Sequence, residues 1–279
     1  MKIIPVPVRD DNYAYLVLDS SPNGKGKGVF VDPYTLSKVQ AAAKEHSVEE
    51  VVGLITTHHH HDHSGGNPDF AKAYPSAPIY GGSDKIPNLT HPVKDGSKFP
   101  LFEGSSITVT CHATPCHTQD SIAFFLEDER AEAGSKADGE VKRGVFTGDT
   151  LFVSGCGRFF EGEPHEMDTA LNKVLASLPG DTLVYCGHEY TKSNVAFSLG
   201  VLPDRPAIKA LADFVKTGKN GGVTTGVFTI DDERAHNVFM LVRDPEVAER
   251  VGLEEGADPI EVMKRLREAK NEGRLTASL

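Results

Sequence analysis

Five of the chain's twelve histidines fall within six positions of "ITTHHHHDHSGGN", residues 55–67. Imidazoles and carboxylates are donors that zinc, iron and manganese accept, so the chemistry suggested is metal-dependent. Val51 to Thr57 reads as a strand, and the histidines begin where it ends. On extended backbone, residues two apart point the same way, so His58 and His60 converge while His59 and His61 face elsewhere. A turn after them brings Asp62 and His63 in from another angle, and the glycines of "SGGN" let the chain turn sharply. The bland alternatives are a solvated polar loop and a purification tag. A tag would sit at a terminus and would not carry an Asp before its last His; the H-x-H-x-D-H spacing is more specific than a polar loop requires.

Three other stretches repeat the pattern. "SITVTCHATPCHT" is a strand followed by a turn that carries His117, "GVFTGD" ends at Asp149, and "TLVYCGH" ends at His188. Each alone could be a core histidine or a turn aspartate. Together with the first cluster they place imidazole or carboxylate at the ends of four apolar runs.

The elements that must position these donors are short apolar runs rich in β-branched residues. "AYLVL", "GVFVD" and "SIAFFL" join the strands already named. Helical spacing alternates with some of them. In "MDTALNKVLASLPG", Leu171, Val174, Leu175 and Leu178 share a stripe that Pro179-Gly180 ends, and "TLSKVQAAAKEH" is a further helix. The fold class expected is α/β or α+β, with mixed sheets covered by helices. After about residue 190 strand signals thin out. "DRPAIKALADFVKTG" places Ile208, Leu211 and Val215 on one stripe, and "DPIEVMKRLREAKNEG" opens with Asp258 as cap and Pro259 at the first helical position. The expected division is therefore 1–190 as a catalytic domain and 191–279 as a mostly helical one. "SSPNGKGKG" reads as a hairpin tip, lacking GxxxxGK[ST], and "EDERAEAGSKADGEVKR" as a loop.

Composition narrows the function classes. A formal net charge of −11 disfavours nucleic acid and anionic membrane as partners. The four cysteines, Cys111, Cys116, Cys156 and Cys186, form no CxxC pair, which suits a reducing compartment. "MKIIPVPVRDDNYAYLV" reads as a first strand rather than a leader, and no apolar run reaches membrane-spanning length. The expectation is a cytoplasmic monomer, with a mitochondrial form as the alternative.

The run "THHHHDH" resembles the signature of the metallo-β-lactamase-fold hydrolases. Within them, "DNYAYLV", "VDP", "TTHHHHDHSGGN", "TPCHT", "FTGDTLF", "GCGRFFEG" and "YCGHEYT" look, in order, like segments of glyoxalase II, the hydroxyacylglutathione hydrolases. The resemblance covers residues 1–195 strongly and the helical tail more weakly. It implies an αββα sandwich with a two-metal site, followed by a helical domain that helps to bind substrate. Carried over, His58, His60 and His117 hold one metal, Asp62, His63 and His188 the other, and Asp149 bridges. The metals implied are two divalent ions, zinc foremost, with iron or manganese as alternatives. The remaining histidines, His46, His59, His61, His91, His112, His165 and His236, are then surface or supporting residues.

The activity implied is hydrolysis of S-D-lactoylglutathione to glutathione and D-lactate, the second step of methylglyoxal detoxification. Two nearby cations lower the pKa of a shared water to about 7 and so supply hydroxide, while a thiolate leaves readily. Asp62 and Asp149 then serve catalysis as ligands rather than as an acid/base pair. Cys116, beside His117, invites a nucleophile reading, but hydroxide already fills that role. The resemblance also implies glutathione contacts at Arg158, Phe159, Phe160, His188, Tyr190, Arg267 and Lys270. Arg267 and Lys270 are three apart on a helix and share a face; without the resemblance, "MKRLREAK" reads as an ordinary solvated face. Phe160 departs from the family, many of whose members carry tyrosine there. The rivals are other enzymes of this fold (a one-iron persulfide dioxygenase, a lactonase, a β-lactamase, an RNA-processing nuclease) and a binding module without catalysis.

Overall fold

The computed structural model describes residues 1–130 and 139–279. The loop expected at 127–143 therefore lies partly outside the described residues. Contacts divide the chain into two compact units, Met1–Ala113 with Asp120–Gly148, and Thr114–Gln119 with Asp149–Leu279.

The first unit carries a mixed sheet in the order β1 (Lys2–Pro7), β2 (Tyr13–Leu18), β3 (Lys27–Val31), β4 (Glu50–Ile55), β5 (Ile79–Gly81) and β6 (His91–Pro92). β1 to β3 form an antiparallel meander, and "SSPNGKGKG" is the β2–β3 connection as expected. From β3 onward the pairing is parallel, which requires crossovers. Helix α1 (Leu36–Glu45) makes the first. The short α2 (His61–Ser64) and α3 (Asn67–Ala73) lie in the second. Val39 and Ala43 of α1 and Phe70 of α3 pack with Leu16, Phe30 and Leu54 in one apolar cluster, so this sheet is buried on the helix side. A second sheet runs β10 (Arg143–Gly148), β9 (Ile122–Asp128), β8 (Ile107–Ala113) and β7 (Lys98–Pro100), all antiparallel. The Tyr15 and Phe146 rings meet at 5.1 Å, one from each sheet.

The second unit begins its ordered elements with a small hairpin, β11 (Leu151–Phe152) and β12 (Gly155–Cys156), and the short helix α4 (Pro164–Thr169). The stripe of "MDTALNKVLASLPG" continues α4, but as a widened π turn over Ala170–Val174 and a tight 3₁₀ turn over Leu175–Ser177. Asp168 and Asn172 are bonded to each other, and reach Arg243 and the Phe239 carbonyl respectively; periodicity carries no sign of such tertiary ties. After β13 (Leu183–Cys186) come α5 (Thr191–Val201), α6 (Pro206–Lys216), α7 (Ile230–His236), α8 (Pro245–Arg250) and α9 (Pro259–Asn271). The regular elements after 190 are thus helices, joined by loops, as a mostly helical region was expected to show, apart from an isolated bridge between Leu183 and Thr229. Asp258 caps α9 by accepting from the Ile260 amide at 3.0 Å. Among the described residues no helix is long and apolar enough to cross a membrane.

Candidate metal centre

The first unit presents four candidate donors from one turn, and a buried aspartate aligns two of them. Asp32 follows β3 in a left-handed conformation, φ 46°, which Asp tolerates better than most residues. Its carboxylate accepts from the Thr57 amide at 2.8 Å and from the Thr57 hydroxyl at 2.7 Å. It also accepts from His63 Nδ1 at 2.9 Å. The Thr57 hydroxyl has given its one hydrogen to Asp32, so it accepts from His58 Nδ1, 3.1 Å away. Both imidazoles therefore carry their proton on Nδ1 and turn the Nε2 lone pair outward, as metal-binding histidines require.

His58 Nε2 lies 3.2 Å from His60 Nδ1. Two nitrogens on a tetrahedral zinc with bonds of 2.0–2.1 Å are about 3.4 Å apart, so the spacing suits one ion. The His58 and His63 rings are 4.3 Å apart. Asp62 and His63 offer donor atoms within 4.8 Å of each other, and the Asn12 amide donates to Asp62 at 3.2 Å. His59 turns away, as alternation predicted, and pairs with Asp120 at 2.8 Å. The short α2, opening at His61, is the turn that swings Asp62 and His63 round.

The second unit holds the other three. Asp149 Oδ2 is 3.5 Å from His117 Nε2 and 3.3 Å from His188 Nε2. One carboxylate oxygen thus lies between two imidazole nitrogens, each at the separation of neighbouring ligands. His117 donates from Nδ1 to the Arg158 carbonyl at 3.0 Å, which leaves Nε2 for a cation. Gly157 makes that approach possible: a Cβ there would lie 1.9 Å from the Asp149 carbonyl and 2.9 Å from His117 Nδ1. His188 follows β13 and stacks on Tyr190 with ring centroids 4.7 Å apart and nearly parallel planes. The Cys116 thiol donates to the Glu163 carbonyl at 3.4 Å, and burial pushes its pKa well up. A buried, hydrogen-bonded thiol held in its neutral form is a poor nucleophile.

Of the seven expected ligands, four lie in one unit and three in the other. In donor type they suit a dinuclear site for divalent ions. Asp32, Thr57 and Asn12, which align them, were not foreseen. The available signal was an aspartate directly after the buried run "GVFV".

The expected glutathione contacts divide between two surfaces of the second unit. Arg158, Phe159, Phe160 and Arg267 line a cleft of about 510 Å³ together with Lys264 and Glu268 of α9. Phe160 is 61% exposed, with its ring 5.2 Å from that of His117. Arg267 is buried, donates to the Cys156 carbonyl at 3.0 Å and to Asn271 at 2.9 Å, and lies over Phe239. Lys270 reaches instead to the Ser193 carbonyl, 3.4 Å away on α5, and lies over Phe197. Burial, with repulsion from Arg267, pushes the Lys270 pKa down to about 8. Tyr190 opens onto a separate groove with Glu189, Lys192 and Ser193.

Comparison with known proteins gives the family. Residues 9–134 match the metallo-β-lactamase superfamily model, and residues 189–273 match the model of the hydroxyacylglutathione hydrolase C-terminus. A probable hydroxyacylglutathione hydrolase of Schizosaccharomyces pombe is 43% identical over 94% of this chain and 93% of its own length. The chain belongs to the hydroxyacylglutathione hydrolase family. The cytoplasmic hydroxyacylglutathione hydrolase of Arabidopsis thaliana, another member, is 38% identical over 98% of this chain and all of its own length. Among solved structures, that of ETHE1 from Myxococcus xanthus superposes with a TM-score of 0.63 at 22% identity, covering 97% of this chain and 90% of that one. That likeness concerns fold alone. The hydroxyacylglutathione hydrolase family accounts for both halves of the sequence, the metallo-β-lactamase fold and the helical C-terminal region.

Proposed function

We propose that the two half-sites act together as a dinuclear centre that hydrolyses S-D-lactoylglutathione to glutathione and D-lactate. His58, His60 and His117 serve one ion, Asp62, His63 and His188 the other, and Asp149 both. The observation that carries this reading is the Asp149 oxygen set 3.5 and 3.3 Å from two imidazole nitrogens. When bound, two divalent ions supply hydroxide near neutral pH and polarise the thioester carbonyl.

The chain's own residues do the rest. Asp32 keeps the Nδ1 protons on His58 and His63, so that their Nε2 lone pairs point at cations. Arg158, Phe159, Phe160 and Arg267 line the cleft that takes the glutathione part, and Tyr190 and Lys270 add to its binding from the side of α5. Cys116 stays neutral and takes no part in the bond exchange. A thiolate leaves without a dedicated acid, which frees Asp62 and Asp149 for ligation. Residues 191–279 are the substrate-binding domain in this reading, zinc is the foremost metal, and the names of cytoplasmic relatives support a cytoplasmic location. The test is turnover by the metal-loaded protein. Release of glutathione thiol from S-D-lactoylglutathione is expected; an intact thioester alongside hydrolysis of some other ester would overturn the assignment.

A further inference from the structure

The segment between α6 and α7 is bound to the turn that carries His188 and Tyr190. Glu189, between them, accepts from the Thr224 amide and from the Thr224 hydroxyl, both at 2.7 Å. That hydroxyl is also 2.6 Å from the hydroxyl of Thr191, the first residue of α5. The Thr224 hydrogen goes to the carboxylate, so Thr191 is the donor to Thr224. Both neighbours of Tyr190 in the chain are therefore tied to one buried threonine. The adjacent residue continues the contact, since the Cys186 amide donates to the Thr225 hydroxyl at 3.2 Å. Backbone bonds from Gly226 N to the Val184 carbonyl and from Val184 N to the Phe228 carbonyl lay the segment along β13. Gly226, at φ 71°, allows this closeness, because a Cβ there would lie 2.5 Å from the Tyr185 ring.

We propose that Thr224 and Glu189 are positioning residues for the site, a clasp that fixes the His188 ring against Tyr190 and thereby sets both a metal ligand and a substrate contact. This rests on the dinuclear thioesterase reading. His188 and Tyr190 lie beyond the end of β13, and Glu189, the residue that joins them, is the one whose carboxylate Thr224 holds. The stack at 4.7 Å also meets Phe152, 6.0 Å from His188 and 5.2 Å from Tyr190, while the clasp holds the residues on both sides of Tyr190. Partners that orient a ligand typically change metal affinity about 10–100-fold when removed. The clasp also makes one of the two ions depend on the C-terminal region, because Thr224 falls within the part that matches the hydroxyacylglutathione hydrolase C-terminal model.

The experiment is competitive zinc titration of the full chain, with KM for S-D-lactoylglutathione measured alongside, in wild type, Thr224→Val, Thr224→Ser and Glu189→Gln. Wild type is expected to take two equivalents. Thr224→Val and Glu189→Gln should bind one equivalent as wild type does and the other about 10–100-fold more weakly, with KM raised. Thr224→Ser keeps the hydroxyl and should restore both. Thermal melting of each variant separates a folding defect from the claimed effect. Two equivalents in wild type with unchanged affinity in Thr224→Val and Glu189→Gln would overturn the clasp alone, as would a lower Tm with zinc binding and KM intact. Fewer than two equivalents in wild type would overturn the dinuclear reading, and the clasp with it.

Discussion

Asp32 accepts a hydrogen bond from His63 Nδ1 at 2.9 Å, and neither residue has any appreciable contact with solvent. The same carboxylate takes both polar hydrogens of Thr57, whose hydroxyl in turn fixes His58. One side chain thus sets the tautomer of two candidate ligands. Asp32→Ala should weaken zinc binding by about 10–100-fold. Asp32→Asn brings an NH2 in place of one acceptor oxygen and should fall between that variant and wild type. Competitive zinc titration checks both, and wild-type affinity in Asp32→Ala would contradict the role.

Cys116 is the nearest alternative nucleophile, and its surroundings argue against it. Cys116→Ala should leave kcat within about threefold and cost about 1 kcal/mol of stability through lost packing. Steady-state turnover and thermal melting test this. A drop of several orders of magnitude in kcat would revive covalent catalysis.

Phe160 projects into solvent with its ring 5.2 Å from that of His117. Phe160→Tyr adds a hydroxyl able to bond the bound glutathione part. A net hydrogen bond of about 1 kcal/mol corresponds to a KM about fivefold lower, with kcat unchanged. An unchanged KM would place the glutathione backbone out of reach of that position.

Lys270 is charged below about pH 8 and neutral above it, because burial disfavours its ammonium form. Its folded pKa is depressed from the ordinary 10.5, so the unfolded chain binds more protons between pH 8 and 10.5. The stability cost of burying the charge is therefore present in full below pH 8 and is relieved as pH rises. In the proposed reading binding behaves oppositely, since a cation that would attract a glutathione carboxylate is lost. The Kd of S-methylglutathione, which has no thiol to titrate, should rise from pH 7 to 9 in wild type. In Lys270→Met it should be weaker throughout and lack that part of the rise. Identical pH profiles would remove Lys270 from the binding site.

The donors were legible because each ends an apolar run, and runs and their ends are what local pattern reports. His58 and His60 converge, and His59 turns to Asp120, as strand alternation requires. The supports were not legible. Asp32 lies 25 residues before Thr57, Thr224 lies 35 after Glu189, and Asp168 meets Arg243 across 75. No period in the chain links such pairs. The π turn at Ala170–Val174 escaped for the same reason, its stripe being that of an ordinary helix. The predicted Arg267–Lys270 pair shares a helix, yet the two heads find different partners, because spacing gives a face and not a reach.

The most direct test of the dinuclear account is zinc content per chain in wild type and in Asp149→Ala, measured with turnover of S-D-lactoylglutathione. The account predicts two zinc ions and rapid hydrolysis in wild type, and at most one ion with turnover lower by roughly a thousandfold or more in the variant. One metal per chain with oxygen consumption and an intact thioester, or an Asp149→Ala protein as active as wild type, would contradict it.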